Sequence, residues 1–281
     1  MRFKKEVTLD PEFQELWKRI NAKTSYSVQY ETETLVANSV SAIKAMEKIK
    51  PARIQVSEAE LEIEKAGVAT TVLREARETV EFKGSLPDII AYLQSETELT
   101  HGTIVRILTG SNRLAEFLMN PQKYMDSVVS FLKRTLHKLM IDGIKYEKIA
   151  GEEYSMRLFE EKEILSYLNN RLEVRKSVYD AIVYDSEIER EFAAALDKRE
   201  EIKLFVKLPS RFTIETPLGT YNPDWAIVRH YDSVLYLVRE TKHTKNFEKL
   251  RNSEAEKIRC GRKHFKAIGA DFDVVISASE V

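Results

Sequence analysis

The sequence predicts an α/β protein in which a C-terminal mixed sheet flanked by helices follows a mostly helical (α+β) region. Three observations carry that reading. Apolar residues recur at helical spacing through most of the first 140 positions, and from about 175 onward short β-branched runs alternate with amphipathic stretches. The segments 225–228 and 234–238 are almost wholly apolar, as strands covered on both faces are. We therefore divide the chain into a helical spacer or coupling domain over 1–150 and an α/β domain over 151–281, with the change of character falling between about 140 and 175.

Taken in order, Asp10-Pro11 reads as an N-cap and first helical residue, and Phe13, Leu16, Trp17 and Ile20 follow on one face. Tyr26, Val28 and Tyr30 alternate as in a short strand. A helix is expected over 32–49, with Leu35, Val36, Val40, Ile43 and Met46 inward and Pro51 ending it. The stretch 53–80 fits no single period: Ile54, Val56, Leu61 and Ile63 alternate, whereas 72–80 suits either type. Residues 87–139 read as helix in three or four pieces, broken near 98–100, at Gly110-Ser111 and at Asn120-Pro121. In the last piece Met125, Val128, Val129, Leu132, Leu136 and Leu139 form a broad apolar face. The helices around 98–100 have helix-turn-helix spacing, but such pairs are mostly packing units, and no DNA-reading role is assigned to them. After Asp142-Gly143 come an extended run over 144–149, a charged helix near 160–170 and a β-rich segment over 177–184.

With 281 residues, 43% of them apolar, the chain has enough material for one large or two ordinary domains with a real core. Its 44 basic side chains nearly cancel 45 acidic ones, so any surface that binds a polyanion must be local. The single cysteine, Cys260, excludes an intramolecular disulfide and a cysteine-based zinc site and fits a reducing cytosol. Residues 1–10 are charged and no long apolar run occurs, so neither a signal peptide nor a membrane span is expected, and the expected location is cytoplasmic.

Chemistry concentrates between 221 and 242. Pro223 cannot donate to a ladder and opens a β-branched strand, which puts Asp224 at the strand's entrance. Residues 230–233 supply a turn, and the return strand over 234–242 stays apolar until Arg239-Glu240-Thr241-Lys242. Side chains two apart share a strand face, so Glu240 and Lys242 point the same way and the neighbouring strand brings Asp224 close. Two carboxylates beside an ammonium suit phosphodiester hydrolysis: hard oxygens hold Mg2+, the metal acidifies a bound water, and the cation offsets developing negative charge. Asp224, Glu240 and Lys242 are thus the expected catalytic residues. Asp224, Glu240 and the Thr241 backbone carbonyl are the expected metal ligands. A Pro-Asp followed by [DE]xK is a weak pattern alone. Pro87-Asp88 is an internal control, because it opens a helix and the next match, Glu160-Glu161-Lys162, lies about seventy residues on.

The flanks add to the pattern. Ser186 and Glu189 read as a capping box at the head of a helix reaching Leu196, and Glu189 is also a candidate metal ligand. Ser253 and Glu256 read as a second box, Ala255, Ile258, Phe265 and Ile268 as an amphipathic helix, and 272–276 as a strand. Between Lys242 and Lys266 there are nine Lys or Arg against three Glu. Lys245, Lys249, Arg251, Lys257, Arg259, Arg262 and Lys263 are therefore the expected contacts to a DNA backbone. His243 and His264 read either as phosphate contacts or as surface residues, with the surface reading preferred, and Tyr221 and Trp225 are expected in packing.

Several of these runs resemble the C-terminal part of type III restriction enzyme Res subunits, of the PD-(D/E)xK nuclease superfamily. They are residues 143–146, Ser177-Val178-Tyr179-Asp180, Tyr184-Asp185-Ser186-Glu187, Lys207-Leu208-Pro209, residues 216–226, Glu240-Thr241-Lys242, Lys257-Ile258, Cys260-Gly261 and Lys263-His264-Phe265. Asn120-Pro121-Gln122 and the opening 13–17 fit more loosely. The resemblance implies a restriction-endonuclease-like fold and a Mg2+-dependent endonuclease acting on double-stranded DNA in a restriction-modification system. It further implies methyltransferase (Mod) subunits as partners and an ATP-driven helicase region normally in the same chain. None of the nine glycines builds a GxxxxGK[ST] loop, so the motor is missing here and a nuclease-bearing portion is expected. The alternative from another class is a non-catalytic DNA-binding or subunit-docking module with the same fold. A structure-specific nuclease such as a junction resolvase is a third, against which the large helical N-terminal region argues.

Overall fold

A computed structural model describes residues 4–51, 85–160, 170–230, 232–245 and 252–281, together with the backbone of 53–64 and 67–79. Its contacts divide the chain into one unit made of Met1–Gln29 and Met140–Val281 and another made of Tyr30–Leu139. The division expected at residue 150 is thus drawn differently, and the N-terminal segment joins the C-terminal unit.

The first unit opens with α1 (Lys5–Thr8), α2 (Pro11–Ile20) and β1 (Ala22–Val28). Asp10 caps α2, its Oδ1 accepting from the amides of Glu12 at 2.8 Å and Phe13 at 3.3 Å. The apolar face read from sequence, Phe13, Leu16, Trp17 and Ile20, is buried throughout.

The second unit holds α3 (Thr32–Ala45), β2 (Arg53–Glu64), β3 (Gly67–Thr79), α4 (Ile89–Thr97), α5 (His101–Ser111), α6 (Ala115–Met119) and most of α7 (Pro121–Gly143). Helix α3 stops short of residue 49 because the Arg113 guanidinium takes the carbonyls of Ile43 and Met46, which a further turn would have used. The ambiguous stretch is an antiparallel pair, β2 against β3, in register from Arg53↔Thr79 to Glu64↔Gly67. The control motif behaves as read: Asp88 is the N-cap of α4 and accepts from the amides of Ile90 and Ala91. The break expected at Gly110-Ser111 comes at Asn112, which ends α5 with φ 54°. Met125, Val128, Val129 and Leu132 of α7 close a core with Ile43, Leu93, Ile104 and Ile107.

The chain returns to the first unit through β4 (Ile144–Glu153), antiparallel to β1. Gly143 permits the close approach at the start of this pair, since a Cβ there would lie 2.0 Å from the Gln29 carbonyl oxygen. The charged helix expected near 160–170 falls almost wholly outside the described residues. There follow β5 (Arg171–Glu173), β6 (Ala181–Val183), α8 (Glu187–Lys198), β7 (Ile202–Lys207), β8 (Trp225–His230), β9 (Val234–Thr241), α9 (Asn252–Ile268) and β10 (Asp271–Val275). Helix α9 opens at Asn252, so Ser253 lies inside its first turn and is not its cap.

Strands β10-β9-β8-β7 form a mixed sheet, parallel between β10 and β9 and antiparallel elsewhere. Strand parity sorts the side chains. Leu204, Val206, Ala226, Val228 and Val238 share a core with α2 and α9, while Phe205, Trp225, Ile227 and Leu237 share one with Phe192, Ala193 and Leu196 of α8. Both faces are covered, which is why 225–228 reads as unbroken apolar sequence. The class and the helix-flanked mixed sheet are as the sequence predicts.

Candidate active site

The β8–β9 register ends at Trp225↔Arg239, so one step further Asp224 comes opposite Glu240. Asp224, Glu240 and Lys242 have the parity of Ala226 and Val238 and therefore lie on the α9 side of the sheet. Backbone bonds at both strand ends fix them, Leu208 N–H to the Asp224 carbonyl at 2.8 Å and Lys242 N–H to the Val275 carbonyl at 3.0 Å.

Asp224 Oδ2 accepts from the Thr241 amide at 2.8 Å and the Thr241 hydroxyl at 2.7 Å. The Trp225 indole in turn donates to that hydroxyl at 3.2 Å. Lys242 Nζ lies 2.9 Å from Glu240 Oε1 and 2.9 Å from Glu254 Oε1, the latter from the first turn of α9. The other Glu240 oxygen, Oε2, accepts from the Tyr221 hydroxyl at 2.7 Å. Asp224, Glu240, Lys242, Tyr221 and Glu254 line a cavity of about 640 Å³ together with Thr220, Asn222, Ser253 and Lys257.

Sequence spacing does not announce two of these residues. Tyr221, expected in packing, is buried but spends its hydroxyl on Glu240; its backbone is held by paired bonds to Ile214. Its ring needs Gly261, where a Cβ would sit 2.3 Å from a ring carbon. Glu254 reads in the sequence as one more charge at a helix start. Both arrive from elements whose approach leaves no local signal.

Burial and mutual repulsion shape the electrostatics. Burial raises the Glu240 carboxyl to about 8, the Asp224 charge adds to the rise, and Lys242 and the Tyr221 hydroxyl oppose it. Asp224 is also raised by burial, against the pull of Lys242 and the two Thr241 bonds. Burial alone would lower Lys242, but Glu240 and Glu254 outweigh it and raise its affinity for its proton. The ammonium is locked in its charged form.

The remaining predicted residues are distributed unevenly. Ser186 caps α8, its hydroxyl accepting from the Glu189 amide at 3.3 Å, but Glu189 does not return a bond to Ser186. Glu189 Oε2 instead accepts from the Asp185 amide at 3.1 Å and pairs with Lys207 at 2.6 Å, while its charge pushes the Asp224 carboxyl up. Of the predicted DNA contacts, Lys257 lines the cavity and donates to the Thr220 carbonyl at 3.0 Å. Lys263 donates to the Ile141 and Asp142 carbonyls, closing the end of α7. Arg262 pairs with Asp273 and Lys245 with Glu280. Arg259 is exposed on α9, and Lys249 and Arg251 lie outside the described residues. His243 is exposed as expected, but His264 is buried, its Nδ1 2.9 Å from the Thr24 hydroxyl, and burial lowers it to about 4. Cys260 is fully buried, which pushes its thiol up to about 11.

The donor set suits a hard divalent cation. Two carboxylates face one open cavity and repel each other, a repulsion that a cation between them would relieve. Among the described residues no three His, Cys, Asp or Glu side chains converge as a protein-only cage. A hard divalent cation held by one or two carboxylates would complete its shell with water and substrate phosphate oxygens.

Comparison with known families decides the class of this domain. Residues 175–279 match the family described as an endonuclease domain. The match spans β6 to β10, including the whole four-stranded sheet, and contains the whole cavity lining. No curated protein and no solved structure matches the chain. The C-terminal region thus carries an endonuclease domain with a restriction-endonuclease-like α/β fold. Among the described residues no helix is long and apolar enough to cross a membrane.

Proposed function

We propose that this domain is a Mg2+-dependent DNA endonuclease and that Asp224, Glu240 and Lys242 form its catalytic centre. The observation that carries the reading is the meeting of Asp224, Glu240 and Lys242 at one cavity inside the endonuclease-matching region. Asp224 and Glu240 hold the metal, with the Thr241 carbonyl as a further ligand. Bound Mg2+ supplies a Lewis acid for the scissile phosphate and lowers the pKa of a water. Thr241 keeps the Asp224 carboxylate turned to the cavity through two donated bonds. Lys242, fixed in its charged form, acts as a cation that offsets negative charge rather than as a base. Among the described residues of the predicted basic set, Lys257 is the one that lines the cavity, which places it to meet the adjoining DNA backbone.

We assign the domain to a type III restriction-modification enzyme on the resemblance of its motif runs to Res subunits. In that setting Mod subunits supply sequence recognition and a helicase region drives the complex. The test is cleavage of plasmid DNA with Mg2+ or Mn2+ by the chain, by Asp224→Ala and by Lys242→Ala, each with and without Mod subunits. Both variants are expected to lose at least about 100-fold in rate. Equal activity in all three proteins would remove the catalytic assignment.

A further inference from the structure

Lys242 directly follows β9, yet its ammonium is gripped from a second element. Glu254 belongs to α9, outside the hairpin that supplies Asp224, Glu240 and Lys242, and its Oε1 stands as close to Nζ as that of Glu240 does. The two contacts differ in shelter: the Glu240 side chain is 5% exposed and the Glu254 side chain 39%. Glu240 also divides its carboxylate between Lys242 and Tyr221.

A role for Glu254 depends on the proposed nuclease activity, in which the Glu240 carboxylate must also hold a divalent cation. An ammonium and a metal ion that share one carboxylate repel each other, so metal loading weakens the grip of Glu240 on Lys242. With no other partner, the long lysine side chain would gain rotamer freedom and hydration by leaving the cavity for solvent. Glu254 removes that incentive. It is half-exposed, so its charge costs little desolvation, and it takes no part in the Asp224–Glu240 pair. Its place in the first turn of a 17-residue helix also favours a carboxylate electrostatically.

We propose that Glu254 is a positioning residue for Lys242, holding the ammonium at the cavity wall while Glu240 serves the metal. Because Glu254 is on the rim, its substitution leaves the core intact, which makes the idea directly testable in the full chain. Wild type, Glu254→Gln, Glu254→Asp and Asp224→Ala are compared for Mg2+ binding by calorimetry. The rate at which an N-hydroxysuccinimide ester acylates Lys242 is read by mass spectrometry, with and without saturating Mg2+. In Glu254→Gln, Mg2+ affinity is expected to stay within about twofold of wild type, while Lys242 in the loaded protein reacts at least about fivefold faster. Glu254→Asp should recover part of the protection, and plasmid cleavage by Glu254→Gln should lose about tenfold in kcat with KM for DNA unchanged. Equal Lys242 reactivity in loaded wild type and Glu254→Gln would overturn the proposal and leave the nuclease reading standing. Loss of Mg2+ affinity in Glu254→Gln as large as in Asp224→Ala would also overturn it, by making Glu254 a ligand. Absence of Mg2+ binding in wild type, or binding that Asp224→Ala leaves untouched, would sink the nuclease reading and the positioning role with it.

Discussion

Two ion pairs, one in each unit, are sheltered to a similar degree and do opposite things. Side-chain exposures are 11% and 17% for Arg113–Glu116 and 18% and 5% for Lys242–Glu240. Arg113 meets Glu116 with Nε and Nη2, both at 2.7 Å, and its other donors reach the carbonyls of Ile43, Met46 and Glu47. Glu116 also accepts from the Ile49 amide at 2.7 Å, and its carboxyl is held below the ordinary range, chiefly by the Arg113 bond. Each charge there is matched by an opposite one. At Lys242 one ammonium faces Glu240 and Glu254 with Asp224 beside them, and Glu240 is pushed up to about 8. Shelter alone therefore marks nothing. A site is indicated where shelter leaves repulsion unresolved beside an open cavity.

The largest test of that contrast is Arg113→Ala. It leaves the Glu116 carboxylate sheltered without its arginine and takes a donor from the carbonyls of Ile43, Lys44, Met46 and Glu47, so about 3–5 kcal/mol of stability should be lost. Urea denaturation followed by circular dichroism measures it. Mg2+ affinity at low temperature, where the variant remains folded, should be unchanged; a large drop would mean that the helical unit supports the site.

His264 sharpens the comparison by removing charge altogether. It is buried as a neutral ring, lowered to about 4 from an ordinary value near 6.5. Between those values the unfolded chain binds a proton that the folded chain refuses, so stability present above pH 6.5 is lost as pH falls toward 4. The expected loss is about 3 kcal/mol. Glu240 slopes the other way, since its raised carboxyl keeps a proton in the folded state and stability falls as pH rises from about 4.5 to 8. The two slopes overlap between pH 4.5 and 6.5. Comparing the wild type with His264→Gln across that window separates them, and parallel curves would refute the histidine's share.

Asp224→Asn bears on the site itself. It keeps an oxygen for the Thr241 donors and removes a charge that repels Glu240, so stability should change by less than about 1 kcal/mol while cleavage falls about 100-fold, near 2.7 kcal/mol of barrier. Thermal unfolding and plasmid nicking, run side by side, check the split. A parallel loss of both would place Asp224 with Arg113, as a structural residue.

How much of the fold and the site is legible in the sequence depends on the range of the interactions. Strand parity is local, so the common side of Asp224, Glu240 and Lys242 can be read from spacing alone. The apolar face of α2 is equally local, but its amphipathicity states that it is buried and not against what; its place on the C-terminal sheet comes from contacts about two hundred residues away in sequence. The end of α3 escapes the sequence for the same reason, since the arginine that takes its last carbonyls lies far downstream, at position 113. The basic helix is legible as composition only. Partners such as Asp273 for Arg262 and the α7 carbonyls for Lys263 lie on other elements, so no local spacing announces them.

Tyr221→Phe carries the smallest expected effect and the finest distinction. The ring keeps its place against Gly261, and only the bond to Glu240 Oε2 is lost. That bond favours the ionised carboxylate, so its removal raises Glu240 further and places a larger proton penalty on metal binding. Mg2+ affinity at pH 7 should fall about tenfold, and the deficit should shrink as pH rises past 8, where Glu240 gives up its proton first in the wild type and then, at higher pH, in the variant. Calorimetric titrations on either side of that value measure the two affinities. A deficit that is the same at both would show that the hydroxyl orients the Glu240 carboxylate without tuning its charge.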